Sequence, residues 1–263
     1  MSISFHKLVG AGNDFIFINE NQLSNIPDLS LFAAKICNRN FGVGADGLVV
    51  IKGVSTEGNH SHFSWEFFNN DGSFAEMCGN AARCAVVYSK IVNGSETCIF
   101  ETAIGIINGQ VTPEGSTVTW EISNPVLEKK SITLDYNKSF DGWYIDTGVP
   151  HFVILDEPQG STNGRDCLNI QTHPEFGKRN TNVTLLTRKS SQAHPTKSFE
   201  RGVREFTLAC GTGVIAASAV LKELTGENQH SLQAPGGKLS VEFHDEKTVS
   251  LTGPAELTFI GTF

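Results

Sequence analysis

Short runs that alternate apolar and polar residues recur along this chain. Ser2–Leu8, Asp14–Asn19 and Ser64–Asn69 follow the period of two that half-buries a strand. The same pattern, punctuated by turn residues, predicts strands at Leu48–Lys52, Thr97–Ala103, Ile106–Thr112, Thr117–Ile122, His151–Leu155, Val183–Thr187, Lys238–Phe243 and Glu256–Ile260. Asp28–Asn38 predicts a surface helix, started by Pro27-Asp28 and carried on by Leu31, Phe32, Ala34 and Lys35. Gln159–Asn180, rich in polar and turn residues, predicts a loop.

Two segments break the alternation. One runs from Cys78-Gly-Asn-Ala-Ala-Arg-Cys84 to Val92 and stops at Asn93-Gly94; the other runs from Cys210-Gly-Thr-Gly213 to Leu224 and stops at Thr225-Gly226. Both predict helices that are apolar nearly all round, and such helices are buried. Charge collects mainly at their far ends, at Lys90 and at Lys222 and Glu223. The two cysteines stand 132 residues apart, as do Gly105 and Gly237, and Phe67 and Phe199; Gly12 and Gly148 stand 136 apart. Several landmarks in one order at nearly one offset indicate a duplicated unit. The expected division is residues 1–124 and 125–252, joined near Ser123-Asn124-Pro125. The last strand, within 253–263, is able to pair with either half.

Composition narrows the options. A chain of 263 residues makes one large domain or two of ordinary size. Charged residues are 18% of it, below the usual ~25%. The net charge of −8 argues against a nucleic-acid partner, because phosphate binding needs a basic face. No apolar run approaches the ~18 residues of a membrane span, and the opening residues carry no secretory pattern. The six cysteines form no CxxC pair and no disulfide framework, so they read as reduced thiols of a cytoplasmic protein.

The chemistry gathers at the two Cys-Gly pairs. A helix opens with unpaired backbone N–H groups that attract anions and stabilise a thiolate. Glycine after the cysteine leaves a ligand room to reach the backbone. Each half thus offers a thiol beside a carboxylate cradle. Two such halves facing each other would put two thiols on opposite sides of one molecule, an arrangement suited to inverting a stereocentre by two-base proton transfer. Cys37, Cys84, Cys98 and Cys167 read as small buried hydrophobes, a reading that also fits Cys78 and Cys210 taken singly. Phe68-Asn-Asn-Asp-Gly72 and Phe199-Glu-Arg-Gly202 precede the two motifs. Asn and Arg suit carboxylates and Glu suits an ammonium, while a plain turn and a solvated ion pair are the competing readings. His151 alone reads as structural. Gly42-Val-Gly-Ala-Asp-Gly47 fits GxGxxG but leads into a strand, against a dinucleotide site. His60-Ser-His62 lies in apparent loop surroundings with no third ligand, so no metal site is expected.

With these residues in view the chain resembles the diaminopimelate epimerases. The likeness runs from Gly10-Ala-Gly-Asn-Asp-Phe15 to Ala234-Pro-Gly-Gly237 and is carried by Phe68-Asn-Asn-Asp-Gly-Ser73, Met77-Cys-Gly-Asn-Ala-Ala-Arg-Cys84, Glu200-Arg-Gly-Val203 and Ala209-Cys-Gly-Thr-Gly213. It implies an α/β (α+β) fold of two pseudo-symmetric domains, each a mixed β-barrel wrapped around a central helix, with the C-terminal strand returning to the first. It also implies a cytoplasmic homodimer that interconverts LL- and meso-2,6-diaminopimelate without a cofactor or metal. By position, Cys78 and Cys210 would be the acid/base pair, supported by His151 and Glu200. Gly79, Asn80, Gly211 and Thr212 would hold the reacting carboxylate. Asn13, Asn69, Asn182, Glu200 and Arg201 would bind the polar ends of the substrate. The chain departs from many members with Val149 in place of Asn, from some with Gly47 in place of Gln, and from several with one extra residue between Arg201 and Cys210. These departures bear on side-chain specificity, which leaves open a two-cysteine racemase of relaxed specificity, acting for example on glutamate. A proline or hydroxyproline racemase is disfavoured by Glu200-Arg201, and a cysteine-free isomerase by both thiols. A non-enzymatic redox or thiol-binding protein is the reading from another class.

Overall fold

The computed structural model describes residues 2–122, 126–156, 161–189 and 193–263. The expected joint at Ser123-Asn124-Pro125 lies outside them, as do Gln159 and Gly160 of the expected loop. The chain forms two compact units, Met1–Trp120 with Thr252–Phe263, and Glu121–Leu251.

The first unit contains β1 (Ser4–Gly10), β2 (Asn13–Asn19), α1 (Leu29–Ile36), β3 (Gly47–Glu57), β4 (His60–Asn69), β5 (Phe74–Ala75), α2 (Gly79–Asn93), β6 (Thr97–Thr102), β7 (Gly105–Thr112) and β8 (Gly115–Glu121). The second contains β9 (Leu127–Thr133), β10 (Ser139–Asp146), β11 (Pro150–Leu155), α3 (Gly164–Gln171), a 3-10 segment (Pro174–Arg179), β12 (Asn182–Leu186), β13 (His194–Phe199), α4 (Gly211–Thr225), β14 (Gln229–Ala234), β15 (Gly237–Phe243) and β16 (Thr248–Gly253). The last strand, β17 (Glu256–Thr262), pairs antiparallel with β1.

In the first unit the pairing runs β17-β1-β2-β3-β4-β6-β7-β8, with β5 added to β4; β2–β3 and β4–β6 are parallel and the others antiparallel. In the second it runs β9-β10-β11-β12-β13-β14-β15, with β11–β12 and β13–β14 parallel. The two units thus repeat one sequence of pairing senses. A parallel neighbour needs a crossover, and helices fill all four: α1 and α2 in one unit, α3 and α4 in the other. β9 stands beside β10 as β17 stands beside β1.

The central helix of each unit touches strands far apart in the pairing order. α2 packs on β1, β2, β6, β7 and β17, and α4 on β10 through β15, so each sheet curls around its helix. Inner strands are therefore buried on both faces, and their period of two sorts side chains between two helices. On β2, Ile16 and Ile18 join Phe32, Ala33 and Ile36 of α1. Phe17 points the other way and stacks on Tyr88 of α2, with ring centroids 5.3 Å apart. On β11, Phe152 and Ile154 join Cys167 and Ile170 of α3, which leaves His151 facing α4. Each fully buried Val, Leu, Ile or Phe contributes ~1.5–3 kcal/mol to this packing. Both central helices end on a left-handed glycine, Gly94 (φ 75°) and Gly226 (φ 76°).

Two expectations need correction. Gln159–Asn180 is not all loop. Asn163 caps α3 in a reciprocal capping box with Asp166, and only a narrow stripe, Cys167 and Ile170, is apolar and buried. His60-Ser-His62 opens β4 instead of lying in a loop, because the β3–β4 ladder runs on past the buried core to Glu57 and His60. Strands without a predicted counterpart include β5, β9, β10, β14 and β16.

Candidate active site

Each central helix begins immediately after a cysteine. Cys78 and Cys210 are N-cap residues in extended conformation, and neither side chain caps its own helix. The first turns that follow, Gly79-Asn80 and Gly211-Thr212, carry the anion-attracting dipole of a helix start. All six cysteines are thiols. Burial pushes Cys37, Cys98 and Cys167 up to about 12 and Cys84 higher still, so these four stay protonated and inert. Cys78 is partly exposed.

In the second unit Cys210 is held from two sides. Its thiol hydrogen-bonds the Glu200 carboxylate, which also accepts from Thr207 Oγ1 at 2.6 Å. Burial raises the pKa of Glu200 in spite of these donors, which makes its carboxylate a better proton acceptor than a free one. Cys210 Sγ also lies 3.4 Å from Thr212 Oγ1, which lies 2.9 Å from His151 Nε2. The other ring nitrogen, Nδ1, lies 3.0 Å from Thr184 Oγ1, itself 2.9 Å from Ser198 Oγ. Burial, with a smaller contribution from Arg201, takes His151 down to about 3, so the imidazole is neutral and one of the two hydroxyls donates to it while the other accepts. Asn182, across the parallel β11–β12 ladder, places Nδ2 3.4 Å from His151 Nε2 and accepts the Arg201 backbone N–H at 2.9 Å. The Arg201 guanidinium bonds the Arg179 carbonyl. One connected network therefore holds Cys210, Thr212, His151, Asn182, Glu200 and Arg201.

In the first unit Asn80 Nδ2 donates to Asn13 Oδ1 at 2.6 Å. Asn69 is held in its own turn, with Nδ2 on Ser73 Oγ at 2.9 Å. Gly47 opens β3 where a Cβ would come within 2.5 Å of the Phe67 ring, so no side chain fits there without moving Phe67. Sequence reasoning passed over Arg83, which is fully buried in the first turns of α2, and Asp46, which accepts from Asn13 Nδ2 at 2.8 Å. The signal for Arg83 was a lone charge inside an otherwise apolar helix. Asp46 lay within the glycine motif set aside as a nucleotide site. Thr184 and Ser198 were also missed; both are buried polar residues, on β12 and β13.

Solved structures share this fold. A PhzF-family phenazine biosynthesis protein from Enterococcus faecalis superposes with a TM-score of 0.71 at 15% identity, covering 100% of this chain and 99% of that one. A hydroxyproline epimerase from Agrobacterium vitis does so at 0.65 and 13%, covering 99% and 92%. The chain thus has the fold of these proteins. The diaminopimelate epimerase model matches residues 5–128 and 143–258. The diaminopimelate epimerase of Aquifex aeolicus is 38% identical over 98% of this chain and 97% of its own, and that of Hydrogenobaculum sp. is 35% identical over 97% and 96%. The chain belongs to the diaminopimelate epimerase family.

Proposed function

We propose that this protein interconverts LL- and meso-2,6-diaminopimelate by proton transfer between two cysteines, in the supply of lysine and peptidoglycan precursors. The observation that carries the reading is the pair of helix starts, each with a cysteine at the N-cap whose side chain does not cap the helix. In the forward direction one cysteine, as thiolate, takes the α-proton and becomes a thiol. The electron pair left on carbon spreads onto the α-carboxylate, where first-turn N–H groups of the helices stabilise it. The other cysteine, as thiol, gives its proton to the opposite face and becomes the thiolate. The enzyme is then set for the reverse reaction, and proton exchange with water restores it.

For Cys210 the supporting groups are explicit. Glu200 accepts the thiol proton, and Thr212, steadied by neutral His151, keeps the sulfur in place. His151 is a positioning residue in this scheme, since an imidazole held near 3 stays neutral at neutral pH and is not available as an imidazolium acid. Arg201 and Asn69 bind the distal charged end of the substrate, and no pyridoxal phosphate or metal takes part. A homodimer in the cytoplasm is the expected form; among the described residues no helix is long and apolar enough to cross a membrane.

The test is turnover of LL-diaminopimelate by protein freed of pyridoxal phosphate and metal, followed as meso product. Native protein is expected to convert it. Cys78→Ala and Cys210→Ala are each expected to lose inversion by at least ~10³-fold, as removal of a proton-transfer group does. Absence of turnover with reduced thiols, or full activity in either variant, would overturn the reading.

A further inference from the structure

The first unit contains a hydrogen-bond chain that reads in one direction. Asp46 Oδ2 accepts from Asn13 Nδ2 at 2.8 Å, Asn13 Oδ1 accepts from Asn80 Nδ2 at 2.6 Å, and Asn80 Oδ1 accepts from Arg83 Nη2 at 2.6 Å. A primary amide looks nearly the same to its neighbours after a 180° flip, and only its partners decide which end is oxygen. Here the decision is made at both ends. A carboxylate can only accept, and a guanidinium can only donate.

We propose that Asp46 and Arg83 are positioning residues that clamp the Asn13–Asn80 amide pair in one orientation from opposite ends. The consequence for catalysis rests on the epimerase reading, in which Asn13 and Asn80 meet the substrate beside Cys78. Flipping either amide alone would set N–H against N–H or oxygen against oxygen, so the two amides move together or not at all.

Both ends of the clamp are themselves fixed. Asp46 Oδ1 takes Arg39 Nη2 at 2.8 Å, and Asp46 N donates to Asp14, whose carboxylate is paired with Arg39 and Lys7. Burial alone would raise Asp14, but the bonds and charges of Arg39 and Lys7 hold it at about 2, so this anchor stays charged. At the other end Arg83 is fully buried in α2, with Nη1 on the Gly79 carbonyl at 3.2 Å and its Nε without a hydrogen-bond partner among the described residues. Its anchoring bonds therefore run to the first turn of α2. Burial lowers its pKa only to about 10, and the guanidinium remains a cation at neutral pH. Among the described residues no carboxylate pairs with it, and a buried cation so placed is expensive; fixing the amide pair at the helix start gives it a role.

The experiment records side-chain amide NMR correlations of the full chain labelled with ¹⁵N at asparagine, in native protein, Asp46→Asn, Asp46→Glu and Arg83→Lys. Thermal melts verify that each variant folds. Asp46→Asn replaces an obligate acceptor by a group that accepts and donates. It is expected to move the NH₂ signals of Asn13 and also of Asn80, one amide further along, and Asp46→Glu is expected to bring Asn80 back towards its native position. In turnover, Asp46→Asn and Arg83→Lys are each expected to lower kcat/KM about ten- to a hundredfold, the worth of a charged hydrogen bond. The double variant is expected to fall within about threefold of the worse single one, because both act through one orientation. An unmoved Asn80 signal in folded Asp46→Asn, or losses that multiply in the double variant, would overturn the clamp. If native protein turns over no diaminopimelate, the epimerase reading has failed, and the NMR comparison still decides the clamp.

Discussion

Burial holds His151 near 3, against 6.5 for a free imidazole. Between those values the unfolded chain binds a proton that the folded chain refuses, so acid pulls the equilibrium towards unfolding. The slope attributable to this residue is up to about 1.4 kcal/mol per pH unit. It begins as pH falls through 6.5 and ends near 3; above 6.5 the residue adds no pH dependence. Glu200, whose pKa burial raises, works in the opposite sense above its ordinary 4.5, inside the same span, so the comparison must be made within one residue change. Urea midpoints of native protein and His151→Gln at pH 7.5 and 5.0 are expected to show native protein losing more stability on acidification than the variant. Equal losses would mean that His151 is protonated in the fold. At this scale the two cysteines were legible because each stands at the same point of a repeat and opens an apolar helix. Arg83, Asp46, Thr184 and Ser198 were not. Their significance lies in which partner each meets, and β2, β11, β12 and α2 set those meetings through register and packing.

The central helices and inner strands such as β2, β3, β11 and β12 could be read from pattern; β10 and β14, also inner, could not. Nor could α3, because only two of its buried side chains, Cys167 and Ile170, are apolar and its start is defined by a capping box among polar residues. β9 escaped because it exposes most of its length and carries lysines at the centre, and its place is decided by the β10 ladder. Helix position also carries a prediction. Gly213, in the first turn of α4, lies where a Cβ would come within 2.2 Å of Ser198 Oγ, 3.1 Å of Thr184 Oγ1 and 3.2 Å of His151 Cε1. Three strands thus press on one helix position, and the hydroxyl chain behind His151 has no slack. Gly213→Ala is expected to lower stability by about 1–3 kcal/mol, read as the shift in urea midpoint. It is also expected to lower turnover, since Thr184, His151 and Thr212 would be displaced together. A variant of unchanged midpoint and rate would show that the strands yield freely there.

For the whole molecule the duplication is the main fact. Offsets of 132 and 136 residues pointed to it, and the shared order of antiparallel and parallel pairings expresses it in three dimensions. The landmarks at those offsets sit at equivalent places: Gly12 and Gly148 before β2 and β11, Phe67 and Phe199 on β4 and β13, Cys78 and Cys210 before α2 and α4, Gly105 and Gly237 opening β7 and β15. Chemistry does not repeat as closely. The second unit surrounds its cysteine with Glu200, Thr212 and His151, whereas the first sets an amide pair between Asp46 and Arg83. Two unlike thiols suit a reaction in which one must begin as acid and the other as base. The most direct test follows deuterium during the first few per cent of conversion of LL-diaminopimelate in D₂O. Two cysteines acting from opposite faces predict deuterium at the α-carbon of newly formed meso product, with recovered LL substrate still carrying hydrogen. Deuterium appearing equally in both from the start would mean that one base serves both faces, and the two-thiol account would be wrong.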